Sequence, residues 1–260
     1  MRSKLYKEPR LKEPLMVVGL PGTAYVAKLS TDYLIKELEA QLFEELYPPS
    51  FPPYVLVGED GIVELLRNEL YYWKRADSGG DLIIFTGNAK AITPEGQHEV
   101  AEEILKKAEG FNVERMYMIA TYLVEQRVEN PRVYVAATSQ ELLEELEGLG
   151  ASIMEEGNID GINGLVLGLA KARGIPGICL LGETQTYTTP SGRMVTDPRA
   201  AKAILEVLTK ALKIEIDMTD IESQARYTWE FIQKIQEIEQ HAIEEAFRKT
   251  VSRPRPSYIY

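Results

Sequence analysis

Four short stretches of this chain are apolar almost from end to end: Leu15-Met16-Val17-Val18, Leu82-Ile83-Ile84-Phe85 after Asp81, Met116–Leu123 and Gly177–Leu181. A strand with one face in water alternates apolar and polar residues, so an unbroken run predicts a strand covered on both faces. Between the runs, apolar residues recur three and four apart, the helical period. Val26, Leu29, Tyr33, Leu34, Leu38 and Leu42 follow the first run, and Val100, Ile104, Leu105 and Ala108 follow the second. Strands covered on both faces and alternating with helices predict an α/β fold, a mostly parallel central sheet flanked by helices.

Local signals fill in the plan. Gly19-Leu20-Pro21-Gly22 ends the first strand, and Thr23 is placed to cap the helix that follows. Thr93-Pro94, Ser139 (or Thr138) and Asp197-Pro198 mark the starts of three more helices, a capping side chain followed in two cases by proline at the first helical position. Arg132–Ala137 and Ala151–Met154 read as further strands, and Gly161–Ala172 as a buried helix. Pro48, Pro49, Pro52 and Pro53 fix an extended loop, and Glu59-Asp60-Gly61 joins Val55–Val57 to Gly61–Leu66 as a hairpin. Residues 1–14 are a polar lead-in, 15–218 the α/β domain, 219–250 a C-terminal helix without proline or glycine, and 251–260 a proline-stiffened flexible tail.

The helix has two readings: packing on its own domain, or docking on a partner or another copy, with Trp229, Ile232, Ile235 and Ile238 as the self-association residues.

Charge narrows the partners. Lys and Arg number 29 against 40 Asp and Glu, a net of −11. Residues 13–245 carry −19, while 246–260 hold Arg248, Lys249, Arg253 and Arg255 with no acidic side chain. An acidic body cannot displace counterions from a phosphate backbone and is repelled by anionic lipid, so neither nucleic acid nor membrane is expected. The N-terminal apolar run of six residues is too short for a secretory core or a membrane span. One cysteine, Cys179, offers neither a disulfide nor a thiol cluster. A soluble, cytoplasmic protein is expected.

The chain is poor in reactive constellations. His98 and His241 stand alone among glutamates on helices, without the second histidine a metal site needs. Cys179 sits in an apolar run, where a thiol is a core residue. No Gly-x-Ser-x-Gly elbow occurs. Two features remain. Gly19, Gly22 and Thr23 form a strand-to-helix loop that is either a plain tight turn or a site whose backbone N–H groups hold a phosphate; the spacing is neither a Walker loop nor a dinucleotide fingerprint. Glu183, near a strand end, could form a polar site with Thr184 and Asp197, or serve as a structural anchor. No catalytic residue, metal or cofactor is assigned.

In order along the chain, Gly19-Leu20-Pro21-Gly22, Phe51-Pro52-Pro53, Asp81–Gly87, Gly157–Gly164 (GNIDGING), Leu180–Thr184 (LLGET) and Asp197-Pro198-Arg199-Ala200-Ala201 resemble the proteasome assembly chaperones of the second type, in their archaeal form. The resemblance implies a fold similar to nucleoside phosphorylases, no established catalysis, homo-oligomers, and proteasome α-subunits or the core particle as partner. It further implies docking through a C-terminal hydrophobic–tyrosine–any-residue motif. Here that segment is Tyr258-Ile259-Tyr260, with Ile259 at the tyrosine's position and Arg253 and Arg255 just before it. Nine extended residues reach about 30 Å. The expected function is therefore a non-catalytic homo-oligomeric chaperone or adaptor of the 20S core. The alternative is an enzyme taking a phosphorylated or nucleoside-like small molecule at the Gly19–Thr23 loop.

Overall fold

The computed structural model describes residues 1–251 other than 78, 127, 187 and 189–193, and at 236 and 238–251 the backbone alone. The chain begins with β1 (Arg2–Leu5), β2 (Leu15–Val18), a 3-10 turn (Thr23–Tyr25), α1 (Val26–Glu37) and β3 (Gln41–Tyr47). The hairpin β4 (Val55–Val57) and β5 (Val63–Leu65) precedes β6 (Asn68–Trp73), β7 (Leu82–Gly87) and α2 (Pro94–Gly110). Then come β8 (Arg115–Leu123), β9 (Val133–Ala137), α3 (Gln140–Glu147), β10 (Ala151–Ile153), α4 (Ile162–Ala172), β11 (Gly177–Thr184), α5 (Pro198–Leu212) and α6 (Thr219–Val251).

Nine strands form one sheet in the order β1-β3-β6-β7-β2-β8-β11-β9-β10. The four apolar runs are its centre, β7-β2-β8-β11, all parallel. On one flank β6, β3 and β1 continue antiparallel; on the other β9 runs antiparallel to β11 and β10 parallel to β9. The parallel character predicted from the apolar runs thus belongs to the middle of a mixed sheet.

Alternation along the central strands divides the core in two. Val17, Ile84, Tyr117, Ile119, Ile178 and Leu180 face α1, α3 and α5. Met16, Val18, Ile83, Phe85, Met116, Met118, Cys179 and Leu181 face α2 and α4. Both sets are almost wholly buried, which is why these strands carry no polar alternate residue.

The helix starts hold at Thr93, whose side chain accepts from the Gly96 N–H at 3.1 Å, at Ser139, and at Asp197, which accepts from the Arg199 N–H at 3.1 Å. Two sequence expectations are corrected. Thr23 does not cap α1: it opens the 3-10 turn, and the cap is Tyr25, left-handed at φ 52° with no capping side chain. Nor does α1 reach Leu42. It ends at Glu37, Glu39 turns left-handed at φ 49°, and Leu42 lies in β3.

β3 and β6 were not visible as strands. β3 carries Glu44 and Glu45, each less than a tenth exposed, and both are paired. Glu44 takes two hydrogen bonds from Lys107 of α2 at 2.6 and 2.7 Å. Glu45 accepts from the hydroxyls of Tyr6 and Tyr47, both at 2.8 Å, and lies 3.1 Å from Arg67. Although burial opposes ionisation, those hydroxyls and the Arg67 and Lys4 charges hold the Glu45 carboxyl below its usual range. The polar lead-in supplies β1, paired to β3 from Arg2↔Tyr47 to Leu5↔Glu44.

Candidate functional site

At the C-terminal ends of β2, β8 and β11 the sheet opens into a crevice of about 530 Å³. β7 flanks β2 on one side and β8 on the other. The helices after β2 and β7 lie on opposite faces, and such a divergence of connections opens a crevice in α/β sheets. Gly22 and Thr23 line one wall; Thr121 and Tyr122 of β8 form the floor; the loop from Glu156 to Asn163 closes the other side. Lys90, Glu156 and Asp160 supply its charges. His98 does not line it.

The glycines of the Gly157–Gly164 stretch shape that loop. Gly161 caps α4 at φ 80°, a conformation that strains any residue with a Cβ. At Gly164 a Cβ would lie 2.0 Å from the Ile159 carbonyl oxygen, so the loop folds back on the first turn of α4. No side chain caps α4. The Asn163 Oδ1 is shielded from solvent and accepts no hydrogen bond from the described residues.

The first loop divides into two kinds of glycine. Gly19 is wedged: a Cβ there would meet Thr31 Cγ2 at 2.5 Å and the Ala27 carbonyl oxygen at 2.6 Å. Its carbonyl is held by the hydroxyls of Thr31 and Thr86, at 3.3 and 3.0 Å. Gly22 is open: a Cβ there would meet nothing closer than the Leu20 carbonyl oxygen at 3.9 Å. Beyond it, Ala24 and Tyr25 are both left-handed, at φ 49° and 52°. The Ala24 N–H donates to Met194 Sδ at 3.0 Å, and its carbonyl accepts from the Asp197 N–H at 3.0 Å. The first of these two successive strained residues is thus pinned by the segment leading into α5.

Glu183 is elsewhere. It lies within β11, does not line the crevice, and its carboxylate is committed to Arg132, the residue before β9. It accepts from the Arg132 backbone N–H at 3.0 Å and from the Arg132 guanidinium at 3.1 Å, while its own N–H donates to the Arg132 carbonyl at 2.9 Å. This is the anchor reading. The partners anticipated with it do meet: Thr184 Oγ1 donates to Asp197 Oδ2 at 2.7 Å. Asp197 in turn takes hydrogen bonds from Arg199 Nε and Nη2, at 2.9 and 3.0 Å, with both side chains at most 5% exposed.

Arg199 leads to the C-terminal helix, a link sequence did not suggest. Its guanidinium carbon lies 5.0 Å from the centre of the Trp229 ring, on α6. Ile221, Ala225 and Ile232 are buried, at 0, 8 and 1% exposure, so α6 packs on the body with α5 as its main neighbour. Trp229 and Ile235 are half-buried. Ile238 lies in the helix, and Tyr258, Ile259, Tyr260, Arg253 and Arg255 lie outside the described residues.

His98 is exposed on α2, and Cys179 is wholly buried, its thiol pushed up to about 12 by desolvation. Among the described residues no group of three or more His, Cys, Asp or Glu is placed to hold a metal, and no helix is long and apolar enough to cross a membrane.

Comparison with known proteins places this architecture. Residues 16–236 match the PAC2 family. An uncharacterized protein of Methanocaldococcus jannaschii is 36% identical over 250 residues, 96% of this chain and 93% of that protein. Pyrococcus furiosus PbaB, an archaeal proteasome activator, superposes with a TM-score of 0.81 at 37% identity, over 90% of this chain and 98% of the other. Pyrococcus furiosus PbaA, an archaeal homolog of proteasome-assembly chaperone, gives 0.70 at 27% identity, over 95% and 97%.

Proposed function

The chain belongs to the PAC2 family, and from that premise we propose that it is a non-catalytic, homo-oligomeric, cytoplasmic chaperone or adaptor of the 20S proteasome core. The observation that carries this reading is the near full-length likeness to PbaB at 37% identity. The higher identity to PbaB, an archaeal proteasome activator, than to PbaA, a homolog of proteasome-assembly chaperone, favours activation over assembly. The polar chemistry supports a structural role. Glu183 is spent on Arg132, and Asp197 and Arg199 on each other, on Thr184 and on Trp229, as residues that hold a fold together are.

Docking runs through the C-terminal segment. α6 extends about 50 Å at 1.5 Å per residue, and the cationic, proline-containing stretch with Arg253, Arg255, Tyr258, Ile259 and Tyr260 follows it in sequence. Co-migration with purified archaeal 20S core on size exclusion tests the reading: a shared peak supports it, and separate peaks at tens of micromolar refute it.

A second reading is favoured by one observation, the crevice of about 530 Å³ that Gly22 and Thr23 line. A small molecule seated there, phosphorylated or nucleoside-like, would meet Lys90 and the first turn of α4. Calorimetry with nucleotides, nucleosides and phosphate decides it, because saturable heat that Gly22→Ala weakens requires this site.

A further inference from the structure

The hairpin β4–β5 stands apart from the nine-stranded sheet as a separate two-stranded sheet. Its pairs are Val55↔Leu65, Leu56↔Glu64 and Val57↔Val63. Side chains alternate between faces, so Val55, Val57, Val63 and Leu65 share one face, and they are 45, 65, 63 and 56% exposed. Leu56 and Glu64 occupy the other. The turn is firmly made: Gly58 N–H donates to the Ile62 carbonyl at 2.9 Å, and Asp60 Oδ1 accepts from the Ile62 N–H at 3.0 Å. An ordered hairpin with one wholly aliphatic, water-facing side is a poor arrangement for a lone chain, since isolated two-stranded sheets are marginal in water.

The hairpin's foot borders a groove of about 260 Å³. Tyr47, Pro48, Phe51, Pro53 and Tyr54 line it with Val55 and Leu65, and no charged side chain does. Strand face and groove share Val55 and Leu65, so they form one continuous apolar surface. With Tyr54, which lines the groove, the aliphatic strand face exposes on the order of 500 Å², the larger part of the roughly 800 Å² per partner of a stable protein interface.

We propose that this hairpin and groove are the surface through which two copies of the chain meet. The choice of a second copy rests on area, charge and shape. The body carries a net charge of −19 over residues 13–245, so most faces repel another copy, whereas this surface is uncharged across the groove and the aliphatic strand face. It also holds both a ridge and a trough, as a surface that docks on its own duplicate requires. On α6, by contrast, Ile232 is already buried within the chain and Trp229 is packed on Arg199. The proposal rests on the homo-oligomer of the proposed function and is independent of proteasome docking.

Sedimentation velocity of the full chain from 1 to 200 µM tests it, with Val57→Asp/Val63→Asp and Leu56→Lys alongside. The wild type should sediment as an oligomer, the double variant should self-associate at least a hundredfold more weakly with an unchanged far-UV spectrum, and Leu56→Lys should behave as wild type. A double variant that keeps the wild-type oligomer overturns the hairpin interface and leaves the homo-oligomer standing. Equal dissociation by Leu56→Lys overturns the face assignment. A wild type monomeric throughout overturns both. If that monomer binds 20S core and the double variant does not, the surface belongs to the proteasome.

Discussion

Arg199 and Trp229 meet with the guanidinium 5.0 Å from the centre of the indole ring, and this contact links the first turn of α5 to the middle of the segment of α6 that packs on the body. The guanidinium is also fixed by both carboxylate oxygens of Asp197 and donates to the Val128 carbonyl at 2.6 Å. The helix that leads to the C-terminal segment is therefore seated on a buried ion pair.

Trp229→Ala removes a half-buried indole and its cation–π contact, and should cost about 2–3 kcal/mol. The loss falls on the attachment of α6. Limited proteolysis should cut near residues 217–230 first in the variant, while the melting of the sheet domain shifts little.

Asp197→Ala leaves the Arg199 guanidinium buried without its carboxylate, frees Thr184 and removes the cap of α5. Breaking a buried pair from one side costs about 3–5 kcal/mol. Thr184→Val, which removes the hydroxyl's hydrogen bond to Asp197, should cost about 1 kcal/mol. Urea unfolding monitored by circular dichroism measures both, and equal losses would contradict the role given to the ion pair.

Gly19→Ala and Gly22→Ala should part company. The first pushes a methyl group into the Ala27 carbonyl and Thr31, and should destabilise by about 2–4 kcal/mol; the second meets nothing closer than 3.9 Å and should stay within about 0.5 kcal/mol. Thermal melts of the two variants compare them directly.

The Cys179 thiol, raised to about 12 by desolvation, makes a pH-dependent contribution of definite sign. Below pH 8 the thiol is protonated in both folded and unfolded chains and contributes no pH dependence. Above the unfolded value near 9.0 the unfolded chain loses its proton first. Stability therefore falls with rising pH by about 1.4 kcal/mol per unit from this group, up to its folded value. The alkaline slope of stability should be shallower in Cys179→Ala, and the native thiol should resist alkylation at pH 8.

The centre of the fold was legible because its strands are buried on both faces, leaving Leu15–Val18 and Leu82–Phe85 unmistakable. The flank was not. β3 reads Gln-Leu-Phe-Glu-Glu-Leu-Tyr, and nothing local says that Glu44 will find Lys107, or Glu45 the hydroxyls of Tyr6 and Tyr47. Long-range pairing of charges overrode the local pattern there. At the site, the Gly157–Gly164 stretch was evident as a landmark but not as a wall of the crevice, because the strand order that brings it beside Gly22 is a tertiary fact. Of the group Glu183, Thr184 and Asp197, the last two meet while Glu183 turns to Arg132; Arg199 and Trp229, thirty residues apart, gave no local signal.

The most direct test of the central claim adds the full chain, and the chain lacking Ser257–Tyr260, to purified archaeal 20S core and to isolated α-subunits, and follows peptidase rate and ring assembly. The account predicts that the full chain changes at least one of the two and that removing the four residues abolishes the effect. Full and shortened chains that both leave assembly and peptidase rate unchanged would contradict it.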